Sequence, residues 1–146
     1  MAYELSFDGV DDYVDMCDDT NIDTATEITI EEWLKPQSVS AYWASYIAKL
    51  ESGTYNGFNI SAQSDASRVR FHGLGGDNSV SGAVVIGEWV HVAAVYDGTQ
   101  MLLYLDGVLQ GTTPIASANL ANNEPLKLGM LHYYGEYTGS SMRDIK

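Results

Sequence analysis

The chain has 146 residues, enough for one domain with a single sizeable core, and its 45% apolar content argues against a disordered tail. Twenty acids against seven bases leave a net charge of −13, which excludes nucleic acid and anionic membrane as expected partners, because phosphate binding needs clustered Lys and Arg. A lone cysteine, Cys17, rules out an intramolecular disulfide, and His72, His91 and His132, isolated and without a CxxC, speak against structural zinc.

The acids gather at the start. Residues 1–34 hold eleven Asp and Glu and no base, so this segment repels itself unless solvent or a cation relieves it. No basic segment followed by an apolar stretch opens the chain, so no signal peptide is read here, and no apolar run approaches the length of a membrane span. "LSFDGVDDYVDM", residues 5–16, reads as a strand, a turn and a second strand. Asp8-Gly9 and Asp11-Asp12 suit the turn by geometry alone. They also suit calcium, a hard cation that takes several oxygens from a tight loop. Asp18, Asp19 and Asp23 follow as a second acidic loop, read as solvated surface.

"EITIEEWL" is the next strand. Its adjacent carboxylates, Glu31 and Glu32, point to opposite faces, so they cannot flank one sugar as a glycosidase pair must. Glu32 shares the parity of Ile28, Ile30 and Leu34 and is expected at a rim or paired with Arg68 or Arg70. Residues 36–50 fit neither helical nor strand periodicity and, with Pro36, read as a loop entering the strand "SYIAKL". "GFNISA", "RVRFHG" and "AVVI" are further short strands, and the sequon Asn59-Ile60-Ser61 lies inside one of them. Strand signals recur every eight to twelve residues or so, the spacing of an all-β sandwich or barrel.

"EWVHVAAVYDGTQMLLYLDGVLQGT" carries the firmest local signal. Asp106-Gly107 between two apolar runs calls for a tight hairpin turn with positive φ at both positions. A loop over 97–100 joins another antiparallel pair, so 88–113 is expected to be a three-stranded meander. "EWVHVAAVY" is apolar on both parities and reads as a central strand covered on both faces, with His91 a hydrogen-bonded structural residue. "LKLGM" and "SMRDIK" close the strand series.

Aromatics fall in or beside the expected loops: Tyr42, Trp43, Tyr46, Tyr55, Tyr133, Tyr134 and Tyr137, accompanied by Asn56, Asp77, Asn78 and His132. Aromatic rings stack on the apolar faces of sugars while amides and carboxylates meet hydroxyls, so Tyr42, Trp43, Tyr55, Asn56, His132, Tyr133 and Tyr134 are the candidate ligand-binding set. The alternative is that some of these rings merely cover the ends of the sandwich.

"LSFDGVDDYVDM", "ITIEEWLKP", "YIAKL", "EWVHVAAVYDGTQMLLYLDGVLQGT" and "LKLGM", in that order, resemble the laminin-G-like, concanavalin A-like jelly-roll domain. The resemblance runs from Leu5 to Ile145, and its most specific block is W-x-H-V-A-x-x-Y-D-G…L-Y-x-D-G over 89–107. It implies an all-β sandwich of two antiparallel sheets, six or seven strands each, spanning 1–146 as one domain. It also implies a structural calcium at Asp8, Asp11 and Asp12, completed by Asp144 from the last strand. The chain ends early for this family, so an edge of the last strand is expected to be open to a second chain. The function expected is a non-catalytic carbohydrate- or glycoconjugate-binding module, extracellular or on a virion or cell surface. The alternatives are a structural or assembly domain that binds protein, and third, a glycoside hydrolase.

Overall fold

The computed structural model describes residues 3–39, 43–63, 66–131 and 136–146, with the backbone alone at 38 and 39. One sheet contains β1 (Leu5–Asp8), β3 (Ile28–Val39), β8 (Val90–Tyr96), β9 (Gln100–Leu105), β10 (Val108–Pro114) and β13 (Glu136–Arg143). Its order is β1-β13-β3-β8-β9-β10, and β12 (Met130–Leu131) pairs with β13 as a seventh strand. The second contains β2 (Val14–Asp15), β4 (Ser45–Leu50), β5 (Gly57–Gln63), β6 (Arg68–Gly73), β7 (Asn78–Ala83) and β11 (Lys127–Leu128), ordered β2-β11-β4-β5-β6-β7. All pairings are antiparallel. This is the jelly-roll sandwich that the sequence resembles.

The meander forms where its pattern places it. β8, β9 and β10 are consecutive neighbours, and the turn between the last two has φ of +49° at Asp106 and +75° at Gly107. At the other turn Asp97 Oδ1 accepts from the amides of Thr99 (2.9 Å) and Gln100 (2.9 Å). The Thr99 hydroxyl, which donates to the same oxygen (2.7 Å), and then these amide bonds favour the ionised form and hold the Asp97 carboxyl down at about 2.

The core lies between the sheets. Ile30, Leu34, Val92, Ala94, Met101 and Leu103 meet Phe58, Ile60, Val69, Phe71 and Val80, all buried. Period-two alternation explains this: in β8 only Val90, Val92, Ala94 and Tyr96 are buried. The opposite parity, His91, Ala93 and Val95, is half-exposed, so β8 is central but not covered on both faces. Trp33 and His91 meet edge-on across that outer face, ring centroids 5.3 Å apart. Among the described residues, the strands buried on both faces are instead β4, most of β5 and the middle of β13. There β12 crosses β4, and Ala48, Leu50 and Leu131 with Tyr55 make a second small apolar cluster.

Several expectations need correction. β3 runs through Pro36 to Val39 instead of yielding to a loop; proline is tolerated because the β3–β13 register shifts at Gly139/Ser140, opposite it. "AVVI" is no strand beyond Ala83. The last strand is not an edge, because β13 lies between β1 and β3, and Lys146 exchanges both backbone hydrogen bonds with Glu31. Edges belong to β1, β10, β2 and β7.

Three carboxyls, Glu32, Asp18 and Asp23, also depart from expectation. Glu32 is neither at a rim nor paired with Arg68 or Arg70; it sits opposite Val92 on the inward parity, fully buried. Its two carboxyl oxygens and the nearby Tyr46 hydroxyl have no hydrogen-bond partner among the described residues. Burial pushes the Glu32 carboxyl from 4.5 up to about 8. Burial, then Glu32 itself, raises the Tyr46 phenol. The second acidic loop is not simple surface either. Asp19 caps a single helical turn, α1 (Thr20–Asp23), while Asp18 and Asp23 reach the buried Lys49 ammonium at 2.8 and 3.0 Å.

Candidate functional site: a cleft on the outer face of the six-stranded sheet

On β5 the core takes Phe58, Ile60 and Ala62, which turns Asn59 and Ser61 to the opposite face. On β6 the core takes Val69 and Phe71, and Arg70 and His72 join that outer face. Register places Asn59 beside His72 and Ser61 beside Arg70. Over these residues opens a cleft of about 570 Å³, lined by Trp43, Leu50, Tyr55, Asn59, Arg70, His72, Asp77, Leu131 and Glu136.

Its walls are tied together. The Arg70 guanidinium lies 4.5 Å from the centre of a Trp43 ring and 3.1 Å from Asp77 Oδ1. His72 Nε2 lies 3.1 Å from the same oxygen, and the Tyr55 ring meets His72 edge-on at 5.0 Å. Burial, then Arg70, lowers the His72 pKa to about 4 despite the opposing pull of Asp77. The ring is therefore neutral at pH 7, and a neutral imidazole meets a carboxylate by donating from Nε2.

Other polar atoms of this face find no partner among the described residues. Asn59 Oδ1, Ser61 Oγ and Glu136 Oε2 are buried without a hydrogen bond among the described residues. Burial also raises the Glu136 carboxyl above its ordinary value. Buried polar groups in folded proteins are nearly always satisfied, so acceptors lining a cleft point to donors from a ligand or water.

Of the sequence candidates, Trp43 and Tyr55 line this cleft. Asn56, next to Tyr55, instead holds the β4–β5 connection: its side-chain amide donates to Glu51 (3.0 Å) and its carbonyl accepts from Asn122 (3.1 Å). Tyr42, His132, Tyr133 and Tyr134 lie outside the described residues. Tyr46 is core and Tyr137 packs near Tyr13, while Asp77 is a cleft residue and Asn78 donates to the Gly73 carbonyl. The sequence candidates did not include Asn59, Arg70, His72, Leu131 and Glu136. For the first three a signal was present, the polar parity of "FNISA" and "RVRFHG"; for Leu131 and Glu136 none was.

The opening acids form a separate cluster. Asp8, Asp11 and Asp12 bring carboxylate oxygens within 4.8 Å of one another, all exposed. Asp8 Oδ1 accepts from Val10 N (2.8 Å) and Asp12 Oδ2 from Asp8 N (3.1 Å), so the loop also closes on itself. The remaining oxygens suit an oxygen-preferring cation. Asp144 does not join them. The β1–β13 register pairs Asp8 with Gly139 and Leu5 with Met142, which leaves Asp144 beyond the opposite end of β1.

A third feature is apolar. A groove of about 360 Å³ between the β7–β8 connection and the Asp106-Gly107 turn includes Val85, Trp89 and Val108, with Ile86 and Leu109 also exposed. Among the described residues no helix is long and apolar enough to cross a membrane.

Solved structures share this fold at low identity. Domains LG4-5 of the mouse laminin alpha1 chain superpose with a TM-score of 0.75 at 14% identity, over 98% of this chain and 41% of that one. The receptor-binding domain of botulinum neurotoxin D gives 0.75 at 13%, over 97% and 39%. The binding domain of Paraclostridial Mosquitocidal Protein 1 gives 0.67 at 11%, over 97% and 42%. The chain thus spans about two-fifths of each. No curated protein sequence matches it. A family profile does, over residues 8–146, nearly the whole sandwich, and on that match the chain belongs to the laminin-G-type branch of the concanavalin A-like lectin/glucanases superfamily.

Proposed function

We propose that this domain is a non-catalytic module that binds a glycan or glycoconjugate in the cleft above Asn59 and His72. The observation that carries the reading is the pairing of an aromatic wall, Trp43 and Tyr55, with buried acceptors that have no donor among the described residues. Sugar rings present an apolar face to stack and hydroxyls to donate, and the cleft offers a counterpart to each. Relatives in fold are named as receptor-binding or binding domains, which agrees with a surface or secreted setting. Calcium belongs to the proposal as a structural ion that Asp8, Asp11 and Asp12 would hold, relieving repulsion in the acidic N-terminal segment. A glycan array probed with the purified protein tests the reading. Binding that weakens in Trp43→Ala supports it, and a blank array, or binding indifferent to that change, sinks it.

The exposed apolar groove around Val85 and Val108 favours a second reading, a protein-binding or assembly domain. The binding domain of botulinum neurotoxin DC is known in complex with rat synaptotagmin II, which gives this fold a protein-binding precedent. Pull-down of a partner that survives Trp43→Ala but is lost in Val108→Asp would move the function there. Catalysis ranks last. Glu31 and Glu32 face opposite ways, and the cleft's Asp77 is tied to both Arg70 and His72. Release of reducing sugar from β-glucans that disappears in Glu136→Gln would establish an enzyme.

A further inference from the structure

We infer that the glycan taken by this cleft carries a protonated amine, seated against Glu136. The inference rests on the glycan reading and narrows it to amino sugars with a free amine.

Glu136 Oε2 and Asn59 Oδ1 are both buried acceptors without a donor among the described residues. An amide oxygen only accepts, and so does a carboxylate once a neighbouring cation offsets the burial that raises its pKa, so a ligand that brings donors and positive charge suits both. Glu136 also makes no ion pair among the described residues. The local bases are committed elsewhere. Arg70 is held by Asp77 and stacked on Trp43, and Lys49 is enclosed by Asp18, Asp23, Asn122 and Glu124 on the inward side of the same sheet. His72, neutral at pH 7, is spent on Asp77.

A ligand hydroxyl would meet one acceptor and leave the carboxylate's charge uncompensated. An ammonium brings three donors and the counter-charge, forming the charge-assisted bond that a half-buried carboxylate lacks. A sulfated or carboxylated sugar would set its anion against Glu136 and Asp77, in a chain already at −13. Trp43, Tyr55, Leu50 and Leu131 face the apolar side of the ring.

Three β-1,4-linked hexasaccharides with the same backbone test this: those of glucosamine, N-acetylglucosamine and glucose, titrated calorimetrically. The glucosamine form should bind about tenfold more tightly than the other two, equivalent to about 1.4 kcal/mol. Glu136→Gln, which keeps the shape but removes the charge, should cut that preference to within about twofold. Glu88→Gln, an exposed acid outside the cleft, should leave it intact and so exclude general attraction between polycation and acidic protein. Free glucosamine should displace the bound hexasaccharide from the unmodified protein better than glucose does, a readout independent of any variant. Equal affinity for all three sugars, or a preference indifferent to Glu136→Gln, overturns the amine assignment while the glycan reading stands. Binding of none of them overturns the assignment, and the glycan reading falls too if the array is blank.

Discussion

Lys49 and Asp18 meet at 2.8 Å, the lysine fully buried in β4 and the aspartate just before α1. Asp23 adds a second contact at 3.0 Å, and the Asn122 carbonyl accepts at 2.9 Å. The acid-rich start of the chain is thus partly a counter-charge for a cation inside the sandwich. Removing the ammonium while the aspartates remain should be costly, because buried charges left without partners are destabilising. Lys49→Ala is expected to lose about 3 kcal/mol in urea melts. A loss under about 0.5 kcal/mol would mean that water replaces the ammonium freely.

Glu32 makes stability depend on pH. Its folded pKa, about 8, lies above the ordinary 4.5, so the folded state holds a proton that the unfolded state releases. Stability is then full below about 4.5, declines as pH rises toward 8, and levels off above it. The slope approaches about 1.4 kcal/mol per pH unit if Glu32 acts alone. Glu32→Gln should flatten this slope whatever it does to absolute stability. A parallel pH profile in the two proteins would refute the role.

At the cleft, Trp43→Ala should weaken glycan binding by about 1–2 kcal/mol with little change in melting temperature, since the ring is only half-buried. If melting falls by many degrees, the Trp43–Arg70 stack is structural and the binding result loses its meaning.

For the acidic loop, calcium should raise the melting temperature and chelation should reverse the rise, by about 2.7 kcal/mol of stability at a hundredfold excess over Kd. Asp8→Ala and Asp11→Ala should abolish the response, and Asp144→Ala should leave it unchanged, because the register keeps Asp144 away from the loop. A response lost in Asp144→Ala alone would place the ion at the other end of β1.

Gly107 tests the hairpin. Its φ is +75°, yet a Cβ there would meet nothing within 4 Å, so substitution isolates backbone strain from collision. Gly107→Val should cost about 1 kcal/mol or more, and Gly107→Asn, which tolerates positive φ, clearly less.

Local pattern carried most of the fold. Asp106-Gly107 between apolar runs is a turn because few residue pairs accept positive φ twice, and the alternation of "VHVAAVY" selects one inward face. Family resemblance supplied the two-sheet sandwich, while the pairing of strands far apart in sequence, such as β13 with β3, is seen only in the tertiary structure. The cleft was half legible. Trp43, Tyr55 and the polar parity of β5 and β6 could be seen, but Glu136 joins them only because β13, sixty-odd residues further on, passes the same face.

What the sequence determined by itself was the all-β class, the meander, and which residues of each strand share a face, since these depend on neighbours two or three positions apart. Only the tertiary structure decided that Glu32 is a core carboxyl, that Asp18 and Asp23 serve Lys49, and that Asp144 stands apart from Asp8. In each case the chemistry of the residue was plain while its surroundings were set by register and by segments dozens of residues away. A carboxylate behaves as surface, ion-pair partner or buried acid according to which segments enclose it, and strand period alone carries no information about that.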